Sequence, residues 1–383
     1  DMSNIPGLKT VGLLGGGVIG GAWAARFVLN GVDVKLYDVD PQATRKMGEI
    51  MVNARRAYSK LTLAPLPKEG TITFVDTPEE AVTDVDYVQE SAPERLELKQ
   101  ELLARASKAA SPTTVFGSST SGLLPTQIQK DMVHPERFVV VHPFNPVYLM
   151  PLAEICGGDL TNEATKLRAK EVVTSVGMKP LMLSKEIDGF IADRLMEALW
   201  REALWLVNDG VATAEEIDDA MRFGPGLRWS FMGTFLVYRI AGGEAGMRHF
   251  MAQFGPSLKW PWTKLMDVPE LDDVLLEKIV SQSDDQAGTA TIRELEALRD
   301  DCLVSVFQAL RGNNYGAGKV LADYERELFG RGPVPVLDPL APSVSHEMII
   351  PADWTDYNGH TNDSRYSQLA SEASDTFFRA IGF

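Results

Sequence analysis

The chain has little cysteine and no long apolar run. Cys156 and Cys302 are the only two cysteines among 383 residues, and they lie far apart. This scarcity excludes a disulfide framework and a cysteine-based metal centre, and it favours a reducing compartment, so we expect a cytoplasmic protein without a bound metal. No apolar stretch is long enough to span a bilayer, and no signal peptide is recognisable, so we expect no membrane partner.

Positive charge is also scarce. Asp and Glu number 53 against 37 Lys and Arg, which gives a formal net charge of −16 at neutral pH. Because such a surface repels polyanions, we expect no nucleic-acid partner. The hydrophobic fraction of 45% is ordinary for a globular protein, and the length is typical of two domains.

The most informative motif that is present is Gly15-x-Gly17-x-x-Gly20, which follows a short apolar run. In a strand–turn–helix unit, the first glycine allows the tight turn, the second lets the backbone approach a pyrophosphate, and the third lets the helix pack on the strand. The helix that begins at Val18 and Ile19 would offer free N–H groups to the phosphates. The sequence therefore predicts a dinucleotide-binding βαβ unit.

The second apolar run of this unit ends in an acid. Residues 32–37 lead to Asp38, which stands 18 residues after Gly20. A carboxylate at this place can hold the ribose hydroxyls of adenosine, and it would repel the 2′-phosphate of NADP. We therefore expect NAD as the cofactor.

Residues 10–184 alternate short apolar runs with helical patterns, which predicts an α/β domain of the Rossmann type over residues 1–186. Polar residues follow three of its strands: Glu90, the serine cluster 118–121 and His142. Since ligands of open α/β sheets bind beyond the carboxyl ends of the strands, we expect these residues around one crevice. The predicted strands are 10–15, 32–38, 71–75, 86–90, 113–118, 138–142 and 179–184.

Helical periodicity replaces this alternation from residue 187 to about 330. We expect an all-helical second domain over 187–330 that serves substrate binding and dimerisation. Its first long helix, within 189–208, is apolar around much of its circumference, which favours a homodimer. The proline-rich stretch 331–345 predicts a linker, and residues 346–383 form a further segment with a strand at 346–350 and a helix at 362–381.

Beside NAD, oxidation of an alcohol needs a base that takes the hydroxyl proton as hydride leaves carbon. The chain has only five histidines, and His142 alone follows a buried-looking strand of the nucleotide domain, so it is the natural base. Glu154, twelve residues later, can accept a hydrogen bond from the other ring nitrogen and stabilise the imidazolium. Ser121 and Asn145 can donate hydrogen bonds to the reacting oxygen. Each residue alone is more often structural, and the information lies in their order and spacing.

That order and spacing resemble the 3-hydroxyacyl-CoA dehydrogenase superfamily over about residues 10–330. The shared motifs are the glycine fingerprint, a serine–threonine motif at 118–121, H-x-F-N-P-V at 142–147, a glutamate twelve residues after the histidine, and DGFIADRL at 188–195. The resemblance implies a Rossmann domain followed by a helical domain of that family. The residues to which it gives roles are the base His142, its partner Glu154, the substrate-binding Ser121 and Asn145, and Glu90 and Ser119 on the cofactor side.

Two residues depart from the acyl-CoA enzymes. Ser119 and Asp193 both stand where those enzymes have Asn, and the second of these Asn residues contacts substrate. Within the superfamily the chain is most similar to the members that oxidise L-carnitine to 3-dehydrocarnitine with NAD. Aromatic faces and nearby negative charge bind a quaternary ammonium, so we expect Asp193, Trp229, Phe231 and Phe254 to hold this group.

Residues 351–366 are similar to the opening of a thioesterase-like hot-dog domain that many of these carnitine-oxidising enzymes carry. Asp356 takes the position of its catalytic acid. Because only the first strand and part of the central helix precede Phe383, we expect a partial hot-dog segment that is no working thioesterase.

Three other functions remain open from the sequence. The same machinery would suit an L-gulonate 3-dehydrogenase, although a polyhydroxy acid calls for more hydrogen-bonding side chains than this aromatic-rich region offers. It would also suit a short-chain 3-hydroxyacyl-CoA dehydrogenase. A crystallin-like structural protein that binds NAD without turnover is the alternative outside enzymes, and His142 and Glu154 argue against it.

Overall fold

The structure is a computed structural model, and it describes residues 8–242, 244, 246–264, 272–331, 350, 354, 361 and 363–380. Its first part alternates strands with helices. The strands are β1 (Thr10–Leu14), β2 (Asp33–Tyr37), β3 (Ile72–Val75), β4 (Tyr87–Glu90), β5 (Val115–Ser118), β6 (Phe138–Pro143), β7 (Leu152–Cys156) and β8 (Lys179–Met182). The helices of this part are α1 (Val18–Leu29), α2 (Ala43–Leu61), α3 (Pro78–Val82), α4 (Leu96–Ala109), α5 (Pro125–Ile128) and α6 (Glu163–Ser175).

One sheet contains all eight strands, in the order β3-β2-β1-β4-β5-β6-β7-β8. Every neighbouring pair is parallel except β6 and β7, which are antiparallel. The first six strands follow the 3-2-1-4-5-6 order of doubly wound dinucleotide-binding sheets. The predicted α/β fold of the Rossmann type is therefore confirmed. The strand prediction omitted β7, in which a glutamate interrupts a run of only five residues.

The glycine motif forms the turn between β1 and α1. Gly15 has a φ of +102°, and its N–H donates to the carbonyl of Tyr37 at 2.8 Å. A Cβ on Gly20 would clash with the carbonyl oxygen of Gly15, so only glycine lets α1 lie this close to the turn. Further along α1, the rings of Trp23 and Phe27 stack at 5.7 Å in the core. The predicted βαβ unit is present.

The second part of the chain is helical, and its described residues between 187 and 331 include no strand. Its second helix begins with a capping box, in which Thr213 and Glu216 each bond the backbone N–H of the other. The helices are α7 (Ala192–Asn208), α8 (Ala214–Phe223), α9 (Pro225–Trp229), α10 (Thr234–Ala241), α11 (Gly246–Phe254), α12 (Asp273–Ala287), α13 (Ile292–Arg311) and α14 (Gly316–Arg331). The predicted all-helical character of this part is confirmed.

The last two of these helices return to the nucleotide domain. On α13, Asp300 accepts a hydrogen bond from the hydroxyl of Tyr148 at 2.6 Å, and on α14 the hydroxyl of Tyr324 donates to Asn30 at 2.7 Å. By contrast, Val207 is the only buried residue of α7. The helical region therefore divides by packing into α7–α12, which reach outward, and α13–α14, which cover the sheet domain.

A final described helix, α15 (Asp363–Ala380), falls on the predicted helix 362–381. Before it, Trp354 is buried and lies 5.1 Å from the guanidinium of Arg365. Most of the predicted linker 331–345 and strand 346–350, together with Asp356, lies outside the described residues, and the hot-dog segment stays a prediction. None of the described helices combines the length and apolarity that a membrane crossing requires.

Candidate active site

The turn before α1 has the features of a pyrophosphate cradle. No atom would lie within 4 Å of a Cβ added to Gly17, so the space above this backbone is open to a ligand. The α1 helix points its N-terminal end at this space. Asp38, at the end of β2, accepts the N–H of Gly16 at 2.5 Å and that of Asp40 at 2.6 Å. The acid is thereby fixed beside the glycine turn, where the residues fit an adenosine ribose and the phosphates of NAD.

A cavity of about 300 Å³ joins the cofactor side to the predicted base. Its walls include Ile19, Ser119, Ser121 and His142. Ser119 is held in this wall, because its hydroxyl accepts from the indole N–H of Trp23 at 3.0 Å. Four of the residues predicted from widely separated motifs thus lie around one space.

Two further cavities adjoin this region. One of about 340 Å³ is lined by Gly17, Val18 and Asn145, so Asn145 shares a wall with the glycine turn. Another of about 680 Å³ is lined by Ser121 and Asp193, together with residues of α7. Ser121 lines this cavity as well as the one that contains His142. The two spaces therefore adjoin at the serine.

Glu90 lies behind the cavity wall. Its side chain is fully buried, and its carboxylate accepts from Lys99 at 2.7 Å, from the N–H of Ala92 at 2.7 Å and from the hydroxyl of Ser118 at 2.5 Å. The observed contacts of Glu90 fix the loops after β4 and β5, and its place beside the cofactor stays a prediction. The motifs gave no signal for its cation partner Lys99.

The His142 ring is held by Glu154. The antiparallel register of β6 and β7 places these residues directly opposite each other, and Glu154 Oε2 lies 2.9 Å from His142 Nδ1. Both side chains are buried, the glutamate completely. A carboxylate on Nδ1 keeps the proton there, so Nε2 is the nitrogen free to accept one. The structure thus has the geometry of an oriented general base.

The same glutamate also caps the first turn of α7. Its Oε1 accepts the N–H groups of Ile191 at 3.0 Å and Ala192 at 2.9 Å. The chain reaches this position through two residues with left-handed backbone, Gly189 at φ +73° and Phe190 at φ +49°. Because Phe190 has a Cβ, its conformation costs roughly 1–2 kcal/mol, which the surrounding contacts must offset.

Asp193 lies on the opposite side of the imidazole. Its Oδ2 is 3.5 Å from His142 Nε2, and 29% of its side chain is exposed. Burial raises the pKa of Asp193 above its ordinary value, with Glu154, Glu197 and Glu94 adding to the shift and His142 opposing it. Sequence spacing gave no sign of this contact, which joins residues 51 positions apart on α7 and β6.

Two aromatic rings pack against the imidazole of His142. Neither of them was assigned to the site from the sequence. The ring of Phe144 is 4.7 Å from that of His142, and the ring of Phe190 is 5.6 Å away. The HPFNP motif contains the first and the DGF motif the second, so both were visible within the recognised segments. They restrict the imidazole to one orientation.

The three predicted cage aromatics lie elsewhere on the helical part. Trp229 and Phe231 are each 38% exposed, and Phe254 is 45% exposed. Phe254 packs against Phe250 with ring centres 4.9 Å apart. Among the described residues that line the two cavities containing Ser121, none is one of these three aromatics. Their contact with a substrate therefore stays a prediction.

The nucleotide-binding turn, the oriented histidine and the helical second part together define an NAD-dependent dehydrogenase of the Rossmann class. Residues 10–187 match the family described as 3-hydroxyacyl-CoA dehydrogenase, NAD binding domain, and residues 189–272 match the 3-hydroxyacyl-CoA dehydrogenase C-terminal domain. The chain belongs to this family of NAD-dependent oxidoreductases, as the resemblance implied.

Several curated relatives are similar over nearly the whole chain. An L-carnitine dehydrogenase/betainyl-CoA thioesterase of Rhizobium meliloti is 54% identical over 96% of this chain and 76% of its own length. An L-carnitine dehydrogenase of Pseudomonas putida is 53% identical over 84% of this chain and its full length. Among solved structures, the chain is similar to 5-formyl-3-hydroxy-2-methylpyridine 4-carboxylic acid 5-dehydrogenase, which is described as an NAD⁺-dependent dismutase. The two are 26% identical with a TM-score of 0.65, and the match covers 80% of this chain and 99% of the other.

Proposed function

We propose that this enzyme oxidises the 3-hydroxyl group of L-carnitine to the ketone of 3-dehydrocarnitine. The observation that carries the proposal is the His142–Glu154 pair, which lies between the cofactor turn and a cavity that contains Asp193. Relatives more than 50% identical that are named L-carnitine dehydrogenase support this substrate.

His142 acts as the general base of the reaction. Its Nε2 takes the hydroxyl proton while the bond between C3 and hydrogen breaks, and Glu154 at Nδ1 stabilises the imidazolium that forms. NAD held at the glycine turn would supply the hydride acceptor, so the products are a ketone, NADH and one proton. Ser121 and Asn145 donate hydrogen bonds to the substrate oxygens, and Ser121 is the better placed because it shares a cavity with the base.

The charge of the site favours a cationic substrate. Asp188, Asp193 and Glu197 line the 680 Å³ cavity, opposed by Arg194 and Arg201. A trimethylammonium group cannot donate an N–H hydrogen bond, so a carboxylate such as Asp193 and aromatic faces are the groups that bind it. Trp229, Phe231 and Phe254 are the aromatic residues proposed for this contact, and replacing each by Ala tests it through the KM for L-carnitine.

The experiment is NADH formation with L-carnitine, D-carnitine, L-gulonate and 3-hydroxybutyryl-CoA, compared side by side at alkaline pH. We expect turnover of L-carnitine alone. Preference for L-gulonate or the CoA ester would overturn the substrate while keeping the catalytic pair. NAD binding without turnover of any of the four would favour the structural, crystallin-like role.

We further propose that the enzyme is a homodimer in which the helices that reach outward pair with a second copy. Four large apolar side chains of α7 are about half exposed, at 62%, 57%, 45% and 54% for Leu195, Met196, Leu199 and Trp200. An apolar face of this size is unusual on a monomer. Light scattering should give twice the 42.1 kDa chain mass, and a single-chain mass would refute the pairing.

A further inference from the structure

The base is held between two carboxylates. Glu154 Oε2 is 2.9 Å from His142 Nδ1, and Asp193 Oδ2 is 3.5 Å from His142 Nε2. The second of these nitrogens is the one that must accept the substrate proton. A carboxylate and this nitrogen can pair only through a proton that lies between them, so Nε2 cannot act as the base while the contact with Asp193 holds.

Asp193 also faces the space into which a substrate would extend. It lies in the first turn of α7, and it lines the 680 Å³ cavity together with Ser121 and Glu197. Because 29% of its side chain is exposed, the carboxylate has room to turn from the imidazole toward this cavity. One side chain can thus contact the base in one state and a ligand in the other.

Arg194 and Arg201 line the same cavity as Asp193, but among the ion pairs of the described residues Asp193 forms one only with His142. Glu154 on β7, Glu197 on α7 and Glu94 after β4 are all acidic, and His142 on β6 is the group whose charge stabilises the ionised aspartate. Without a cationic ligand, the imidazole is therefore the natural partner for this carboxylate. A cation in the cavity would compete for it directly.

We propose that Asp193 is a positioning residue that shares a proton with His142 Nε2 in the free enzyme and releases this nitrogen when the substrate's quaternary ammonium binds the carboxylate. The shared proton then leaves to water in the adjoining cavity, and Nε2 becomes free to act as the base. The proposal rests on the proposed function, since it takes that cation to be part of L-carnitine. Recognition of the charge then frees the base, so a cationic substrate gains in kcat and not only in KM. A substrate of the same shape that lacks the cationic group leaves Asp193 on the imidazole and is oxidised slowly.

The test compares two substrates in the wild-type enzyme and in two variants that each lack one carboxylate. L-carnitine is compared with 3-hydroxy-5,5-dimethylhexanoate of matching configuration, in which a carbon replaces the ammonium nitrogen. The variant is Asp193→Asn, and the matched control is Glu197→Gln, which removes a charge from the next turn of the same helix and lines the same cavity. For each protein, kcat and KM are measured with both substrates, and thermal unfolding checks the fold.

We expect Asp193→Asn to lose at least tenfold in kcat/KM on L-carnitine. On the isostere that lacks the cationic group, kcat should rise about two- to fivefold, the size of a partly exposed ion pair. With that isostere, the acidic limb of the kcat/KM profile should move to lower pH in the variant, because Asp193, whose pKa is raised by burial, no longer shares a proton with Nε2. Glu197→Gln should show neither the gain nor the pH displacement.

A loss with both substrates, or no gain with the isostere, would overturn the release of the base and leave Asp193 as a simple binding or structural group. Failure of the wild-type enzyme to oxidise L-carnitine would refute the proposed function instead. The two failures are distinguishable because the second is read from the wild-type protein alone, whereas the first needs the comparison of variant and isostere.

Discussion

Replacing Glu154 by Gln tests whether the carboxylate sets the proton on the base. Gln has nearly the same shape, but only one of its two ends can accept a hydrogen bond. In the enzyme, Oε1 of Glu154 receives two backbone N–H groups of α7, and Oε2 faces His142 Nδ1. The amide must therefore turn its oxygen to the helix, which leaves its NH₂ group facing the imidazole.

This orientation reverses the roles of the two ring nitrogens. An NH₂ group at Nδ1 needs an acceptor there, so the ring proton moves to Nε2 and the base is blocked. The variant also loses a buried hydrogen bond to a charged group, worth about 1.5–3 kcal/mol, or roughly 10–150-fold in rate. With the blocked tautomer added, we expect kcat to fall by about 10²–10³.

The assay is steady-state NADH formation with L-carnitine, together with NAD binding by fluorescence. NAD affinity should stay within about twofold, since the described hydrogen bonds of Glu154 go to His142 and to α7 and not to the glycine turn. The control Glu186→Gln changes a carboxylate that accepts only the N–H of Thr126 among its described hydrogen bonds. A kcat within threefold of wild type in Glu154→Gln would refute the role of the carboxylate. An equal loss in Glu186→Gln would show that the effect is not specific to the base.

Three further predictions concern the cofactor turn, the core and the thiols. Arg26 is 3% exposed and donates hydrogen bonds to three backbone carbonyls at 2.7–3.2 Å. Replacing it by Met should therefore lower the free energy of unfolding by about 3–5 kcal/mol, measured by urea titration. A change below 1 kcal/mol would contradict this. Gly20→Ala places a methyl against the carbonyl oxygen of Gly15 and should raise the KM for NAD at least tenfold, and an unchanged KM would show that the turn adapts. Burial, and then nearby carboxylates, raises the pKa of Cys156 to about 11, so its thiol stays protonated below that pH. Iodoacetamide at pH 8 should therefore modify only the exposed Cys302, as measured by mass spectrometry. Two labels on the folded protein would contradict this.

The sequence predicted those parts of the site whose conformation is determined by residues that are adjacent in the chain. The glycine turn follows from positions that tolerate no Cβ, such as Gly20, and from an apolar run on either side. His142 and Glu154 were paired by chemistry and by resemblance to a family, and their twelve-residue spacing does correspond to one turn between two antiparallel strands. The spacing alone could not show this, because β7 itself was not predicted.

β7 was missed for a physical reason. Its five residues include Glu154, a charged side chain with no exposure, which breaks the apolar pattern that marks a buried strand. Such a residue is tolerated only because His142 and the first turn of α7 satisfy its oxygens. The apolar pattern therefore failed to mark this strand at the place where the proposed function needs a buried charge.

The contact between Asp193 and His142 could not be predicted from the sequence for a different reason. The two residues belong to separate parts of the fold, and their distance depends on how α7 leaves the sheet. That departure is fixed by the left-handed pair Gly189 and Phe190, whose backbone no periodicity reveals. The sequence could name Asp193 as unusual, but not as a partner of the base.

Glu154 joins the two parts of the enzyme through a single side chain. One oxygen orients the base on β6, and the other holds the first turn of α7, which carries Asp193. A rotation of α7 would therefore move Asp193 relative to the imidazole while Glu154 keeps the base in place. The position of α7 therefore determines whether Asp193 contacts His142 Nε2, while Glu154 holds the ring. If Asp193 binds the substrate as proposed, ligand binding in the cavity beside α7 changes the contact between this helix and the imidazole on the sheet.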